Sequence, residues 1–229
     1  MLQIIHEDNH LIAVNKPAGM LVHEDETGDK PLSAFVKEYI KDRYGKPGDV
    51  FLGVIHRLDR PVSGVVVFAR TSKGLERMNT LFRDRKVEKY YWAVTSQRPT
   101  PIEGSLQHYI LKDRSRNVAK AFDKLSKKNK AAKLSTLDYS VIGQLEGSTL
   151  LEVRPHTGRP HQIRVQLSQI GCPIRGDLKY GYPKPNADGN IHLHCRKLVF
   201  EHPVKREQMS IVADPPHDQI WDKFEGVWM

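Results

Sequence analysis

Short apolar segments with strand character recur along the whole chain, and turn-forming residues separate most of them. Residues 64–69, 87–95, 106–111 and 134–141 are such segments, and a Glu-Asp-Asn turn within residues 2–15 predicts an opening hairpin. Strand-like and helix-like segments interleave without an α/β repeat, and only roughly four segments have helical periodicity. This pattern predicts an α+β fold with a mixed, largely antiparallel sheet.

The helical segments carry their own start and stop signals. Apolar residues from Leu32 to Ile40 recur at intervals of three and four, which predicts an amphipathic helix that ends near Gly45. Thr71 is placed to cap a second helix. A third, short helix is predicted over residues 163–170, with one apolar side.

Length and composition narrow the class of protein. The chain has 229 residues, of which 39% are hydrophobic and 28% charged, and its glycine and proline contents are ordinary. It contains no apolar run long enough for a transmembrane helix, no secretory signal and only two cysteines. We therefore expect a soluble cytoplasmic protein, not bound to membranes, with one domain over residues 1–229. The oligomeric state stays open, with a monomer favoured.

The positive charge is concentrated in one segment. The chain has a net charge of +9, and residues 112–133 contain nine Lys or Arg against two Asp. Such a basic segment predicts a polyanionic partner, because its cations neutralise phosphates and release counterions. A solvated, poorly ordered loop is the alternative interpretation of the same run.

A polar block, HRLDRPVSG at residues 56–64, separates two apolar strands. It surrounds Asp59 with His56, Arg57 and Arg60. Neighbouring cations favour an ionised carboxylate, so Asp59 is a candidate nucleophile or charge stabiliser rather than a general acid. An aspartate that caps a turn and pairs with its arginine neighbours fits the same pattern.

A second block, TGRPHQIRVQL at residues 157–167, places Arg159, His161 and Arg164 at the start of the third helix. Guanidinium groups beside the backbone donors of a helix start form an anion site. A surface helix with ordinary charges is the alternative interpretation.

Six blocks in order resemble the RluA-type pseudouridine synthases. The signature HRLD-x-x-[ST]-[ST]-G matches residues 56–64 except at Val62, and N-K-P-x-G-x-x-V-H is complete at 15–23. The K-x-Y-x-A motif occurs at 89–93, T-G-R-x-H-Q-[IL]-R at 157–164, G-D-x-x-Y-G at 176–181, and the late strand HLHCRKLVFEHP at 192–203. Gln166 stands where His is frequent.

The resemblance implies flanking helices around a central sheet, a catalytic cleft and the isomerisation of uridine in structured RNA to pseudouridine. Asp59 matches the catalytic aspartate, Tyr91 the tyrosine that stacks against the base, and Arg164 the arginine that pairs with the aspartate. Arg57 would occupy the space that the flipped base leaves. Because the motifs begin close to Met1, we expect no additional N-terminal RNA-binding domain.

The implied reaction is an isomerisation, so it requires no cofactor and no metal ion. We expect RNA, either ribosomal or transfer RNA, to be bound by Arg57, His56, Arg60, Arg159, His161, Lys124, Lys127, Lys128 and Lys130. Whether Asp59 attacks the sugar, attacks the base or removes a proton stays open.

Two other functions fit parts of the sequence. A non-catalytic RNA-binding protein on the same scaffold predicts a damaged catalytic group, and a metal-dependent ribonuclease requires a carboxylate cluster that the sequence lacks. His192, His194 and Cys195 resemble metal ligands, but strand alternation places Cys195 on the opposite face from the two histidines, so we interpret them as structural.

Overall fold

The computed structural model describes residues 2–145 and 147–228. Within those residues, no helix is both long enough and apolar enough to cross a membrane. The elements in chain order are β1 (Gln3–Glu7), β2 (Leu11–Lys16), α1 (Leu32–Tyr44), β3 (Gly53–Val54), β4 (Ser63–Ala69), α2 (Ser72–Arg83), β5 (Glu88–Thr95), β6 (Glu103–Asp113), β7 (Val118–Phe122), β8 (Lys133–Leu145), β9 (Ser148–Pro155), α3 (Gln162–Gln169), β10 (Leu193–Glu201), β11 (Gln208–Val212) and α4 (Glu225–Trp228).

The chain divides into two compact units. Unit 1 contains residues up to Glu88 together with Cys195–Pro215. In its sheet, β2 pairs with β1 and β4, β3 also pairs with β4, and β11 pairs with β10, all antiparallel. Residues 11–14 and 63–69 are buried, so β2 and β4 form the core of this unit.

The two long helices of unit 1 follow their local signals. In α1, Leu32, Val36 and Ile40 are buried, and the helix ends at Gly45 in the left-handed conformation that glycine adopts readily. The Thr71 hydroxyl accepts a hydrogen bond from the backbone N–H of Gly74 at the start of α2. The two predicted helices are confirmed, together with the predicted end of α1 and the predicted start of α2.

The turn between β1 and β2 is organised by Asp8. One carboxylate oxygen accepts hydrogen bonds from the backbone N–H groups of His10 at 2.7 Å and Leu11 at 2.8 Å. The other lies 3.2 Å from Nε2 of His6 and 2.9 Å from Nε2 of the buried His202. Burial raises the pKa of Asp8, but these backbone and histidine contacts outweigh burial and lower the pKa to about 2.

Unit 2 contains Lys89–His194 and Pro216–Met229, and its strands form an antiparallel sheet in the order β5-β9-β8-β6-β7. One cluster in its core brings Trp92 of β5 and Leu150 of β9 together with Trp221 and Phe224 near the C-terminus. A second cluster joins Ile110, Ala119, Val165 and Tyr180. This second cluster packs α3 against the β6–β7 hairpin.

The predicted α+β fold with a largely antiparallel sheet is confirmed. The interpretation of residues 112–133 as a poorly ordered loop is wrong for Val118–Phe122, which form β7 and pair with β6. Periodicity did not reveal this strand because its residues, VAKAF, include two alanines and a lysine and show no clear alternation of apolar and polar side chains. The expectation of one domain over residues 1–229 stays a prediction.

Candidate active site

Asp59 lies in the loop that connects β3 to β4 in unit 1. Leu58 and Val62 are buried, and the backbone N–H of Val62 donates to the carbonyl oxygen of Asp59 at 3.0 Å, so the chain turns at this residue. Gly64 follows with φ of +115°, and a Cβ there would lie 2.3 Å from the carbonyl oxygen of Cys195. Only glycine therefore fits at the end of the HRLDRPVSG block.

A buried lysine supports the Asp59 loop. Lys16 is fully buried, and its Nζ donates to the carbonyl oxygens of Pro17 at 3.0 Å, Met20 at 2.7 Å and Arg60 at 3.1 Å. Three carbonyl acceptors match the three N–H donors of an ammonium group. Burial lowers the pKa of Lys16 to about 7, whereas the negative charge of Asp59 raises it. Lys16 thus places a positive charge close to Asp59 and binds the next residue of its loop.

The two arginines beside Asp59 differ in their contacts. Arg60 Nε donates to the carbonyl oxygen of Gly19 at 3.0 Å, and its guanidinium pairs with Asp29 at 2.6 Å. Arg57 is exposed and forms no hydrogen bond or ion pair with the described residues. Arg60 therefore ties the loop to the NKPAG turn, while Arg57 projects towards solvent.

His56 is engaged inside unit 1. Its Nε2 accepts a hydrogen bond from the backbone N–H of Val67 at 3.0 Å, and its ring stacks on Phe82 with the centroids 5.0 Å apart. An accepting Nε2 places the proton of the neutral ring on Nδ1. Its predicted contact with RNA stays a prediction.

Tyr91 lies on β5 opposite Val153 of β9 and is half-buried. Strand alternation places Tyr90 and Trp92 on the other face of β5. Trp92 is buried in the core, and the Arg154 guanidinium lies 4.8 Å from the centre of the Tyr90 ring. Tyr90, the neighbour of Tyr91 in the chain, thus contacts Arg154 on the opposite face of β5.

Arg164 lies in the first turn of α3, where it is buried and paired. Its Nε donates to one carboxylate oxygen of Asp177 at 2.7 Å and its Nη2 to the other at 2.9 Å. The centre of the Tyr180 ring lies 5.0 Å from the guanidinium carbon. The interpretation of this segment as a surface helix is wrong, because residues 162–167 are all buried.

The Tyr180 hydroxyl connects α3 to the β6–β7 hairpin. It accepts a hydrogen bond from the backbone N–H of Ala119 in β7 at 2.8 Å and lies 2.6 Å from Nδ1 of His161. Lys112 Nζ lies 3.1 Å from Nε2 of His161, and an ammonium can only donate, so Nε2 accepts and Nδ1 carries the proton. His161 therefore bridges Tyr180 and a lysine of the basic segment.

The turn before α3 is held by a glutamine. Gln162 Oε1 accepts hydrogen bonds from the Thr157 hydroxyl at 2.7 Å and from the backbone N–H of Arg159 at 3.0 Å. His161 adopts the left-handed conformation, with φ of 54°, immediately before the helix. These contacts explain why the TGRPHQIR block forms one structural unit, and they leave the Arg159 side chain half-buried.

The lysine-rich loop between β7 and β8 is closed by Asn129. This buried residue accepts hydrogen bonds from the backbone N–H and hydroxyl of Ser126 and donates to the carbonyl oxygen of Lys124 at 3.1 Å. The loop therefore has a defined form and presents four exposed cations: Lys124, Lys127, Lys128 and Lys130.

The histidines of the late strand are structural in unit 2. His192 is buried with Nε2 3.1 Å from Asp218, and the rings of both His192 and His194 pack on Trp221. Across residues 2–145 and 147–228, one group of three potential metal ligands lies close together, and it is largely exposed: His217, Asp222 and Glu225.

The structure thus adds three residues that sequence reasoning did not assign: Lys16, Asp177 and Tyr180. Each belongs to a block that the resemblance already contained, Lys16 to NKPAG and the other two to G-D-x-x-Y-G. Lys16 supports the Asp59 loop within unit 1, and Asp177 pairs with Arg164 within unit 2.

The chain matches the model of a known protein family and several curated proteins. Residues 10–169 match the family described as RNA pseudouridylate synthase. The chain is similar to the tRNA pseudouridine synthase C of Haemophilus influenzae, with 34% identity over 98% of both proteins. It is also similar to the protein of the same name from Yersinia pestis, with 32% identity over 98% of this chain and 91% of that protein.

A solved structure has the same fold. Human RNA Pseudouridylate Synthase Domain Containing 4 is 29% identical, with a TM-score of 0.77. The similarity covers 94% of this chain and 89% of the human chain.

Proposed function

This chain belongs to the RNA pseudouridylate synthase family and is an RNA pseudouridine synthase, and we propose that the uridines it isomerises lie in transfer RNA. The observation that carries the choice of RNA is the similarity to proteins named tRNA pseudouridine synthase C, which extends over 98% of this chain and of the Haemophilus influenzae protein. Ribosomal RNA is the other class that the sequence leaves open.

We propose Asp59 as the catalytic carboxylate. In the reaction the C1′–N1 bond of uridine breaks and a C1′–C5 bond forms, while the C5 proton leaves to solvent and N1 gains a proton. Positive charge that develops on the sugar is stabilised by an ionised carboxylate, as in glycoside hydrolysis, and no second carboxylate is needed because no water attacks. Lys16, beneath the same loop, stabilises the negative charge that this role requires.

Tyr91 and Arg164 complete the proposed catalytic group. Tyr91 stacks against the target base, a role that its half-buried position on β5 allows. For Arg164 we propose the role of the arginine whose positive charge compensates the catalytic carboxylate, because an uncompensated buried charge is costly. The support for both roles is the match of each residue to the family motif.

The proposed RNA contacts fall into two groups. Arg57, exposed in the catalytic loop, fills the stack that the flipped base leaves. The loop lysines bind phosphates without reading sequence. The side chains of His56, Arg60, Arg159 and His161 also bond to protein atoms, so we propose that they shape the RNA-binding surface.

We further propose that the enzyme acts as a cytoplasmic monomer without a cofactor or metal ion. The support for the absence of a cofactor is chemical: an isomerisation exchanges no electrons with a redox partner and consumes no co-substrate.

Tritium release tests the proposal. Transfer RNA and ribosomal RNA are prepared with C5-tritiated uridine from cells that lack this gene, and each is incubated with the enzyme. Release from transfer RNA supports the proposed substrate, because the new bond at C5 displaces tritium. Release from ribosomal RNA alone refutes it.

Asp59→Asn is the companion variant for the catalytic role. It keeps the size of the side chain, so it should fold and bind RNA as the wild type does. It should release essentially no tritium, because a neutral amide is neither nucleophile nor counter-charge. Release at the wild-type rate would remove Asp59 from the mechanism.

A further inference from the structure

We propose that Asp177 and Tyr180 are positioning residues for Arg164, which hold its guanidinium in a single orientation during the reaction. This inference rests on the proposed catalytic role of Arg164. It goes beyond that role because it assigns a function to two residues outside the proposed catalytic group.

The first argument is the geometry of the ion pair. Asp177 accepts hydrogen bonds from Nε and Nη2 of Arg164, and the two side chains are 1% and 6% exposed. Two parallel hydrogen bonds fix both the plane and the direction of a guanidinium.

The second argument is the covered face of the guanidinium. The Tyr180 ring centre lies 5.0 Å from the guanidinium carbon, within the range of a cation–π contact. Tyr180 cannot turn away easily, because its hydroxyl accepts from Ala119 and its carbonyl oxygen accepts from the Ser168 hydroxyl at 2.6 Å. The ring therefore restricts rotation of the Arg164 guanidinium out of the plane in which it bonds to the Asp177 carboxylate.

The third argument is that Asp177 is itself fixed by its own turn. Its carbonyl oxygen accepts from the backbone N–H groups of Tyr180 at 3.1 Å and Tyr182 at 3.0 Å. Gly176 has φ of +84°, and a Cβ there would lie 2.6 Å from the carbonyl oxygen of Asn190. A turn packed this closely holds the carboxylate in place independently of α3.

The test compares variants of Asp177 with a variant of Asp8, a partly buried carboxylate of unit 1. Asp177→Asn replaces one acceptor with an amide N–H that faces the guanidinium, whereas Asp177→Glu keeps the charge. Asp8→Asn in unit 1 is the control, since Asp8 also accepts backbone and side-chain hydrogen bonds in a mostly buried place. Tritium release gives kcat and KM for the full-length protein, well below the melting temperature of each variant.

We expect Asp177→Asn to lower kcat about 100-fold with KM changed by less than about 3-fold, because a shift of about 1 Å at a catalytic group has that effect. Asp177→Glu should recover part of the loss. Asp8→Asn should lower the melting temperature without lowering kcat. A wild-type kcat in Asp177→Asn, or equal losses in the Asp8 and Asp177 variants, overturns the inference.

Tyr180 offers a second pair of variants. Tyr180→Phe keeps the ring over Arg164 and removes the hydroxyl, whereas Tyr180→Leu removes both. Tyr180→Leu should lose more kcat than Tyr180→Phe, and equal rates would remove the ring from the proposal. If Asp177→Asn fails to fold, the two Tyr180 variants and Asp177→Glu still test whether Asp177 and Tyr180 position Arg164.

A measurement without RNA separates this inference from the proposed substrate. In the 15N spectrum of the arginine-labelled protein, the Arg164 Nε–H, assigned by its absence in Arg164→Lys, should exchange slowly in the wild type and rapidly in Asp177→Asn. Rapid exchange in the wild type refutes the proposal that Asp177 and Tyr180 hold the Arg164 guanidinium in one orientation. Wild-type inactivity on transfer RNA with slow exchange refutes only the substrate.

Discussion

Replacing Arg164 by methionine should destabilise unit 2 through Asp177. Methionine keeps the apolar stem of the arginine, so little cavity forms, but the charge and both hydrogen-bond donors are lost. The Asp177 carboxylate, 1% exposed, then remains buried without the donors that hold it at 2.7 and 2.9 Å. The expected effect is that of a buried ion pair from which one member has been removed while the other stays buried.

Breaking such a pair costs about 3–5 kcal/mol of unfolding free energy, because the remaining charge is uncompensated. For a protein of this size each kcal/mol lowers the melting temperature by about 2–4 °C, so we expect a decrease of about 10 °C. Asp177→Leu should also destabilise unit 2, since it removes the carboxylate that accepts two hydrogen bonds from the buried guanidinium. The double variant should lose less stability than the two single losses added together, because neither member of the pair is then left buried without the other.

Urea unfolding of the wild type, both single variants and the double variant gives this cycle, and tritium release is measured on the same preparations. The double variant should fold yet form no pseudouridine, which separates the folding role of the pair from the catalytic role of Arg164. Additive losses in the double variant would refute the reasoning, because they would show that the two side chains do not stabilise each other.

Three further predictions concern other parts of the chain. The pKa of Asp8 is lowered from 3.8 to about 2, so its contribution of about 2 kcal/mol to the free energy of unfolding is complete above pH 4 and is lost as the pH falls through 2. Urea unfolding across this range should show that the stability difference between the wild type and Asp8→Asn becomes smaller as the pH falls. A difference that does not change with pH would contradict the assignment. Arg57→Ala should slow turnover more on folded RNA than on an unstructured oligonucleotide with the same target, since only a stacked base must be unstacked; equal losses would give Arg57 another role. Replacing the four loop lysines by glutamine should weaken binding to all RNAs alike and flatten the plot of log affinity against log salt by about 0.7–0.9 for each phosphate that the protein no longer neutralises, whereas an unchanged slope would identify a merely solvated loop.

Helices α1 and α2 and the opening hairpin could be predicted because their determinants are local. Gly45 ends α1 and Thr71 caps α2 through contacts that span no more than four residues, and the buried positions of α1 follow the helical repeat. The motif blocks could likewise be read in order, since they are contiguous. Their letters alone are enough to indicate Asp59, Tyr91 and Arg164.

The remaining features required tertiary structure because they join residues that sequence spacing does not relate. Arg164 and Asp177 are 13 positions apart, and Asp177 lies beyond the end of α3, so nothing in the helical repeat of α3 indicates their bond. Lys16 meets a carbonyl oxygen 44 positions away. A buried charge must find its donors or acceptors wherever the packed chain supplies them. The sequence alone determined the local elements and the blocks of the proposed site, and only the packing decided which neutral and charged groups hold those blocks in place.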